Sequence, residues 1–484
     1  MTHEDWMRTL AGHVGRVRLR YPDDELAIVF DIDGTIVDAR YLVVHVLVSY
    51  DREHGTDLFR GATVADVVHH EALVDEILSG FAVPDERRDH VRAWYLRRLR
   101  DPQAVAASHR PYQGVMGVIR WFQLQPRIHV ALNTGRAESM RELTLGSLNE
   151  LGALHRVRFE PELLFMNRSG ADDDVTTSKV EGLRRLQLAG YRVVAVVDNE
   201  PALLRAMAGA DGTGEVLFLH ADTIFASRRE PAPRIVSGST YGLGGLVDEA
   251  EVGRRTTLVW HGVNDDHNLR EFVRSDVRWA EVDVRRDPAG RLVLRHDSFV
   301  EWPWTRDEQV LLLRDCLEVL RWTGRSVKLD LKDRGVVDDV LDLVRPFGFS
   351  DDELWFNGAV DALGPAGYVR LRGARPGAIL QTPIDFLVPL LSVSPDVAAP
   401  VLTAMREWGV TRVSLDWRTR GARDVLDVVE GLGWDLNLYG VPDLEAFVEA
   451  VLLLPASVTA DFNFPEWNLD GRGPTRAVAA PATV

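Results

Sequence analysis

Two carboxylates, Asp31 and Asp33, stand two residues apart where an apolar run meets a glycine: residues 27–38 read AIVFDIDGTIVD. On an extended chain that spacing sends both side chains to one face. Gly34 then permits a sharp turn or a close backbone approach. Such a cluster can hold a hard cation through oxygen ligands and present one carboxylate as a nucleophile. The blander reading is a strand end closed by an Asp-Gly turn. Against it, three more polar residues fall at the ends of later elements. Thr134 closes the apolar run in RIHVALNTGR, Lys179 opens a helical pattern after Thr177 and Ser178, and Asp198 closes VVAVVDNE.

A second set of chemically capable residues lies in the other half. His261 sits in HGVN, Glu281 and Asp283 in EVDV, His296 and Asp297 in RHD, Asn357 in WFNG, and Lys328, Asp330 and Lys332 in KLDLK. If the strands that carry them converge, Glu281, Asp283 and Asp330 supply the oxygen ligands that Mg²⁺ or Ca²⁺ needs. His261 and His296 could serve as general acid and base on a phosphodiester, with Lys328 or Lys332 neutralising phosphate charge. Taken singly, a histidine at a strand end is more often structural, and Glu281 or Asp283 could simply pair with Arg285 or Lys328.

The elements needed to position these residues can be read from pattern. Ala27–Phe30 is a short apolar run, as expected for a strand covered on both faces. At 484 residues the chain should hold more than one domain. Residues 1–226 are expected to form the first, with 227–246, rich in Arg, Pro, Ser and Gly, as a connection. From 247 to 473 short β-rich runs alternate with helical patterns: TTLVWHGV, WAEVDVRR, RLVLRHD, SVKLDLKD, ELWFNGAV, YVRLRG, VTRVSLDWR, WDLNLYGV and SVTADFNF. That alternation fits a (β/α)₈ TIM-type barrel, in which residues at the carboxyl ends of the strands meet at one mouth. The alternative is a second open sheet. Residues 474–484, small and Pro-containing, are expected to be a disordered tail.

The first set resembles the ordered motifs of the haloacid-dehalogenase-like hydrolases, which are mostly phosphatases. The resemblance implies an α/β fold with a Rossmann-like parallel sheet. It implies that Asp31 attacks phosphorus to form an aspartyl-phosphate, and that Asp33 protonates the leaving group and later activates water. Thr134 and Lys179 would bind the phosphoryl oxygens. Mg²⁺ would be held by Asp31, the Asp33 backbone carbonyl and Asp198. Asn199 departs from the pattern, since many relatives carry a second acid there, and Glu200 is the candidate to substitute. Residues 40–110 or so, with YLVVHVLVSY and DERRDHVRAWYLRRLRD, look like the helical cap inserted in part of that family.

The second set resembles the glycerophosphodiester-phosphodiesterase-like barrels, and most of all the menorin family, with its ordered HGVN-like, E-x-D-V, H-D and K-L-D-x-K motifs. This resemblance implies cleavage of a phosphodiester, by water or by an internal hydroxyl of the substrate. Two departures from the phosphodiesterases proper are HGVN in place of HRG, and Asp330 in place of a glutamate.

Composition narrows the rest. The net charge is −17, with 73 acidic against 56 basic residues. That argues against a general nucleic-acid binder, which would show a basic surface. The Arg-rich stretch 92–100 reads as a solvated helix face. A single cysteine, Cys316, excludes an internal disulfide and fits a reducing compartment, with the thiol in a helical core pattern. No apolar segment resembling a secretory signal opens the sequence, and runs such as FLVPLLSV are too short to span a bilayer. The expectation is a cytoplasmic hydrolase of small phosphorylated substrates: a phosphomonoesterase in the first domain and a phosphodiesterase in the barrel. The rival expectations are a phosphatase with a non-catalytic accessory barrel, or a non-catalytic partner-binding protein.

Overall fold

Five consecutive residues, Leu26–Phe30, are buried. A strand with no exposed face must lie inside a sheet covered on both sides. In the computed structural model, which describes residues 6–69, 71, 73–99, 101–168, 175–223, 235–247, 253, 255–305 and 308–461, this strand is the centre of the first of two compact units, Met1–Val247 and Asp248–Val484.

The first unit is built on a parallel sheet. Its strands are β1 (Glu25–Phe30), β2 (Ile128–Ala137), β3 (Leu164–Asn167), β4 (Tyr191–Asp198), β5 (Leu217–Ala221) and β6 (Val236–Gly238). Their order is β3-β2-β1-β4-β5-β6. The chain therefore runs outward one way from β1 and returns to run outward the other way from β4. The carboxyl ends at such a reversal leave a crevice where ligands bind in open α/β sheets. Register decides who faces that crevice: Phe30 pairs with Leu132 on one side and Val197 on the other. Asp31 and Asp198 thus leave the sheet side by side, with Thr134 just beyond.

Between β1 and β2 the chain makes the expected cap: α2 (Arg40–His54), α3 (Val74–Ser79), α4 (Asp85–Arg98) and α5 (Pro102–Ser108), with α1 (Trp6–Arg20) preceding the sheet. The cap has a core of its own, including Val43, Leu47, Tyr50, Phe59, Val91 and Tyr95. Each such side chain fully removed from water contributes roughly 1.5–3 kcal/mol, which lets the insert hold its own shape. The chain then returns through α6 (Val115–Gln123), α7 (Arg141–Ala153), α8 (Val175–Leu188) and α9 (Pro201–Ala210).

The connection expected at 227–246 is only partly a connection. Residues 236–238 form the edge strand β6, and Tyr241, Leu243 and Leu246 are buried. Trp6, itself fully buried, donates its indole N–H to the Thr240 carbonyl at 2.5 Å. A Cβ on Gly238 would overlap the Trp6 ring, so glycine is what allows this strand to approach α1. The apolar positions in this Pro/Gly-rich stretch are few and separated, which conceals their burial from a reading of pattern. Residues 227–234 lie outside the described residues, as does the tail 474–484.

In the second unit eight parallel strands close on themselves. They are β7 (Thr257–Trp260), β8 (Trp279–Arg286), β10 (Ser326–Leu331), β11 (Leu354–Asn357), β12 (Ile379–Pro383), β13 (Arg412–Asp416), β14 (Asp435–Tyr439) and β15 (Ser457–Ala460). Closure comes from β15 pairing with β7 and β10 pairing with β8. The barrel expected from strand–helix alternation is therefore present, and the open-sheet alternative is not.

Three strand assignments change. YVRLRG is not a strand but part of the helix Val360–Ala374. Tyr368 and Leu371, three apart, are buried, while Val369 between them is exposed. The alternation that suggested a strand is the side of a helix. The strand that takes its place is β12, read ILQTP, whose buried Gln381 and Thr382 gave no β-rich signal. RLVLRHD does contain a strand, β9 (Leu292–Leu294), but it pairs antiparallel with β8 and is not one of the eight barrel staves. His296 and Asp297 therefore follow a hairpin strand rather than a barrel strand. Cys316 is buried in the helix Leu313–Trp322, where burial pushes its thiol up to about 12, a core residue as expected.

Candidate active sites

The first site is assembled by the edge of the first sheet. Asp31 follows β1, and its N–H donates to the Val197 carbonyl at 2.9 Å, tying the loop to β4. Gly34 has φ +78°, and a Cβ there would overlap the Asn199 side-chain amide. Only glycine lets the loop fold this closely under β4. Lys179 lies in α8. Thr177 and Ser178, which precede Lys179 in the sequence, are inside that helix rather than before it, because α8 already runs from Val175.

Lys179 is buried between two carboxylates: Nζ lies 2.8 Å from Asp31 Oδ1 and 2.5 Å from Asp198 Oδ2. Burial alone would lower the lysine pKa, but Asp198 and Asp31 together raise it, so the ammonium stays charged. Asp31 moves up to about 7: burial raises it most, Lys179 opposes, and Asp198 adds to the rise. Two carboxylates packed this closely favour a further cation beside them. The donor set, carboxylate oxygens of Asp31 and Asp198 with the Asp33 carbonyl, is the hard-oxygen kind that Mg²⁺ takes. With its amide nitrogen turned inward, Asn199 donates to Asp31 Oδ2 and to the Asp33 carbonyl, both at 3.2 Å. The Glu200 N–H donates to Asp198 Oδ1 at 2.8 Å. Glu200 lines the same cavity as Asp31 and Lys179.

Asp33 is held by a residue that the motif reading passed over. Arg136, two beyond Thr134, forms a two-pronged pair with it: Nε to Oδ2 at 2.7 Å and Nη2 to Oδ1 at 2.6 Å. Burial would raise the Asp33 pKa, but the Arg136 guanidinium outweighs it and keeps the carboxyl below its ordinary value. Arg136 Nη2 also lies 2.8 Å from His109 Nε2, and His109 Nδ1 lies 2.5 Å from Ser147 Oγ. Burial, then the neighbouring Arg136 charge, lowers His109 to about 4, so its ring is neutral and accepts from the guanidinium. Thr134 Oγ1 accepts the Arg136 N–H at 3.2 Å, which leaves its own proton available. Arg136 was visible in the TGR run, whereas His109, next to Arg110 and a proline, carried no signal. A cavity of about 790 Å³ opens over Asp31, Asp33, Thr134 and Lys179, with cap residues on its far side.

The second site occupies the mouth of the barrel. Register sets Asp330 beside Asp283, and Lys328 beside Glu281, on adjacent strands. Oxygens of Glu281, Asp283 and Asp330 lie within 4.8 Å of one another, and all three residues are buried. Glu281 is raised by burial and by Asp283. Lys332 reaches across them, with Nζ 2.5 Å from Asp330 Oδ2 and 2.9 Å from Asp283 Oδ1. Burial would raise Asp283, but Lys332 and the Asn264 amide bring it below its ordinary value. Asp283 Oδ1 is buried and meets the Lys332 ammonium at 2.9 Å as an ion pair. Three buried carboxylates this close together fit a hard divalent cation.

The HGVN segment supports these acids through its backbone and its asparagine. The Gly262 N–H donates to Glu281 Oε2 at 3.0 Å. Asn264 Nδ2 donates to Asp283 Oδ2 at 2.6 Å and its Oδ1 accepts the Asp283 N–H at 2.8 Å. His261 follows β7, with Nδ1 2.7 Å from Asp461 Oδ1 and Nε2 3.9 Å from Glu281 Oε2. Burial lowers its pKa, but Asp461 and Glu281 more than reverse this and hold it at about 9. Asp461, inside the SVTADFNF run, was not singled out by sequence. Lys328 is buried and donates to Thr459 Oγ1 at 3.1 Å. Asn357 accepts from the buried Gln381 amide at 2.9 Å. His296 behaves differently: its side chain is 66% exposed and its ring nitrogen pairs with the neighbouring Asp297 at 2.9 Å. Among the described contacts, His296 makes none with the three acids.

No known protein family's profile matches the chain, and no curated protein matches it. Solved structures of both kinds are similar to parts of it. A glycerophosphodiester phosphodiesterase from Agrobacterium tumefaciens str. C58 is 16% identical, with a TM-score of 0.30, over 43% of this chain and 96% of its own. A glycerophosphoryl diester phosphodiesterase from Parabacteroides distasonis ATCC 8503 is 13% identical, TM-score 0.27, over 38% and 72%. A haloacid dehalogenase-like family hydrolase from Streptococcus pneumoniae is 11% identical, TM-score 0.29, over 44% and 93%.

Proposed function

We propose that the chain is a metal-dependent phosphohydrolase with two sites, a phosphomonoesterase in the first unit and a phosphodiesterase in the barrel. The observation that carries the reading is the buried Lys179 held between Asp31 and Asp198 beneath a cavity that also exposes Asp33 and Thr134. Nothing in the sheet's own packing calls for three carboxylates and two cations in one crevice. A transferring phosphoryl group, by contrast, calls for charge of both signs at fixed positions.

In the first site an Asp31 carboxylate oxygen forms a bond to phosphorus as the ester P–O bond breaks. The leaving oxygen takes a proton from Asp33. Water then gives a proton back to Asp33 and attacks phosphorus, releasing inorganic phosphate and restoring Asp31. Lys179 and the Thr134 hydroxyl hold the phosphoryl oxygens. Arg136 keeps Asp33 in its base form, the form that activates water in the second step, so protonating the leaving group requires that pair to open as substrate enters. A Mg²⁺ held by Asp31, Asp198 and the Asp33 carbonyl would offset phosphoryl charge.

In the barrel, Glu281, Asp283 and Asp330 would hold Mg²⁺ or Ca²⁺. His261, protonated by its Asp461 pairing, suits the role of general acid toward a leaving oxygen. Lys328 and Lys332 would face phosphate charge. Cleaving a diester yields a monoester, which the first site consumes. The exposure of His296 and its pairing with Asp297 favour a second reading, in which the barrel lacks one expected acid–base partner and serves as an accessory. Among the described residues no helix is long and apolar enough to cross a membrane. A cytoplasmic location, consistent with a single cysteine, belongs to the same proposal.

The test is phosphate release from monoesters and alcohol release from diesters with Mg²⁺ or Ca²⁺, for wild type, Asp31→Asn and Asp283→Asn. Two sites require that Asp31→Asn abolish monoester turnover and Asp283→Asn abolish diester cleavage alone. If Asp283→Asn changes nothing, the barrel is an accessory. If wild type releases phosphate from no ester, the reading fails.

A further inference from the structure

The cavity over Asp31 has two chemically different ends. One carries the groups that would hold a phosphoryl group. The other is formed by three cap helices and their connection: Leu42 from α2, Leu96 from α4, Leu99 just after it, and Pro102 and Val105 from α5. Residues 91, 94 and 95 of α4 are packed into the cap's own core, but Leu96 turns away from it and is 39% exposed. A single exposed leucine means little, yet Leu96 shares this lining with four more apolar cap residues: Leu42 and Leu99, partly buried against the cap core, Pro102, and the buried Val105, which together make this side of the cavity an apolar wall.

Charge in the same lining points the same way. Its cations among the described residues are Arg136 and Lys179, and both are engaged by carboxylates. Among the described residues the cap contributes Glu71 to this lining, and Glu200 also lines it. Among the described residues the lining offers a second phosphate or a carboxylate on the leaving group no cation that is not already paired with a carboxylate, which discriminates against it. At about 790 Å³ the space far exceeds what a phosphate alone needs. It falls within the roughly 300–1,000 Å³ of pockets that enclose drug-sized ligands.

We infer that the first site takes phosphate monoesters of apolar alcohols, aryl or medium-chain alkyl, with the organic group seated against the cap wall. The inference rests on reading this unit as a phosphomonoesterase. It separates the chain's substrates from sugar phosphates and from compounds with a second anionic group, whose polar surface the wall would leave without hydrogen-bond partners.

The test uses phosphonates, which bind without being cleaved, titrated calorimetrically into the full chain with Mg²⁺. Methyl-, butyl-, octyl- and 1-naphthylmethylphosphonate are compared with phosphonoacetate. Affinity is expected to climb along the alkyl series and to be at least about tenfold tighter for the naphthyl compound than for methylphosphonate. Phosphonoacetate should bind no tighter than methylphosphonate. Leu96→Asp should shrink the naphthyl-to-methyl ratio severalfold, and the alkyl series in wild type decides the matter even where that variant does not fold. Equal affinity along the series, tighter phosphonoacetate, or no binding of any phosphonate overturns the inference. Tight naphthyl binding without hydrolysis of naphthyl phosphate or any other monoester sinks the phosphatase reading and leaves the apolar pocket standing. Hydrolysis of small polar and apolar esters with equal kcat/KM does the reverse.

Discussion

His109 should make the first unit acid-labile by an amount that can be worked out. Its ring is buried against Arg136, and burial followed by that charge lowers its pKa from 6.5 to about 4. The unfolded chain therefore takes up a proton near pH 6.5 that the folded chain refuses until about pH 4. Stability from this group is fully present above pH 6.5 and is lost as pH falls toward 4. At 1.36 kcal/mol per pH unit, the loss between pH 7 and pH 5 is about 2 kcal/mol. Wild type alone would not reveal it, because Asp31 has the opposite sign. Its folded pKa is raised to about 7, so it takes up its proton in the folded state first and favours folding as pH drops. The comparison must be with His109→Gln, whose amide can still accept from Arg136 and donate toward Ser147 but cannot titrate. Urea denaturation of the full chain at both pH values, followed through the amide protection of α6 and α7, gives the stability of the first unit. Wild type should lose about 2 kcal/mol more than His109→Gln on going to pH 5. An equal loss in both proteins, or a larger one in the variant, would refute the argument that burial and Arg136 hold His109 neutral.

Two further outcomes follow from the paired charges. Lys179→Met leaves Asp31 and Asp198 facing each other in a buried crevice, so the first unit should lose about 3–5 kcal/mol in the same denaturation assay; Mg²⁺ should restore part of that stability, and monoester turnover should vanish. In the barrel, saturating Ca²⁺ or Mg²⁺ should raise the unit's melting temperature and EDTA should reverse it. Asp330→Asn should remove most of that shift, and an unchanged metal response in the variant would exclude the Glu281–Asp283–Asp330 cluster as the cation site.

What could be read from the chain alone was whatever one strand or one turn contains. Glu281 and Asp283, and Lys328 and Asp330, each stand two apart within a strand, whose period of two puts such residues on one face wherever it is placed, and Asp31 and Asp33 stand two apart just past the end of β1. The strand–helix alternation was likewise enough for a parallel sheet followed by a barrel, since parallel strands require crossovers of that length. Short segments with mixed polarity were not decidable locally. YVRLRG alternates like a strand yet is a helix, and ILQTP carries the polar Gln381 and Thr382, both buried because the barrel strand is covered on both faces. The pairings that set the chemistry come from distant residues. Arg136 meets Asp33 across 103 positions, His261 meets Asp461 across 200, and Tyr241 donates to the Thr35 carbonyl across 206. Local sequence decided which side chains could do chemistry; only the packing of sheet, cap and barrel decided which carboxylate keeps its proton, which histidine stays neutral and which wall a substrate would meet, because burial and the nearest charge act through space and not along the chain.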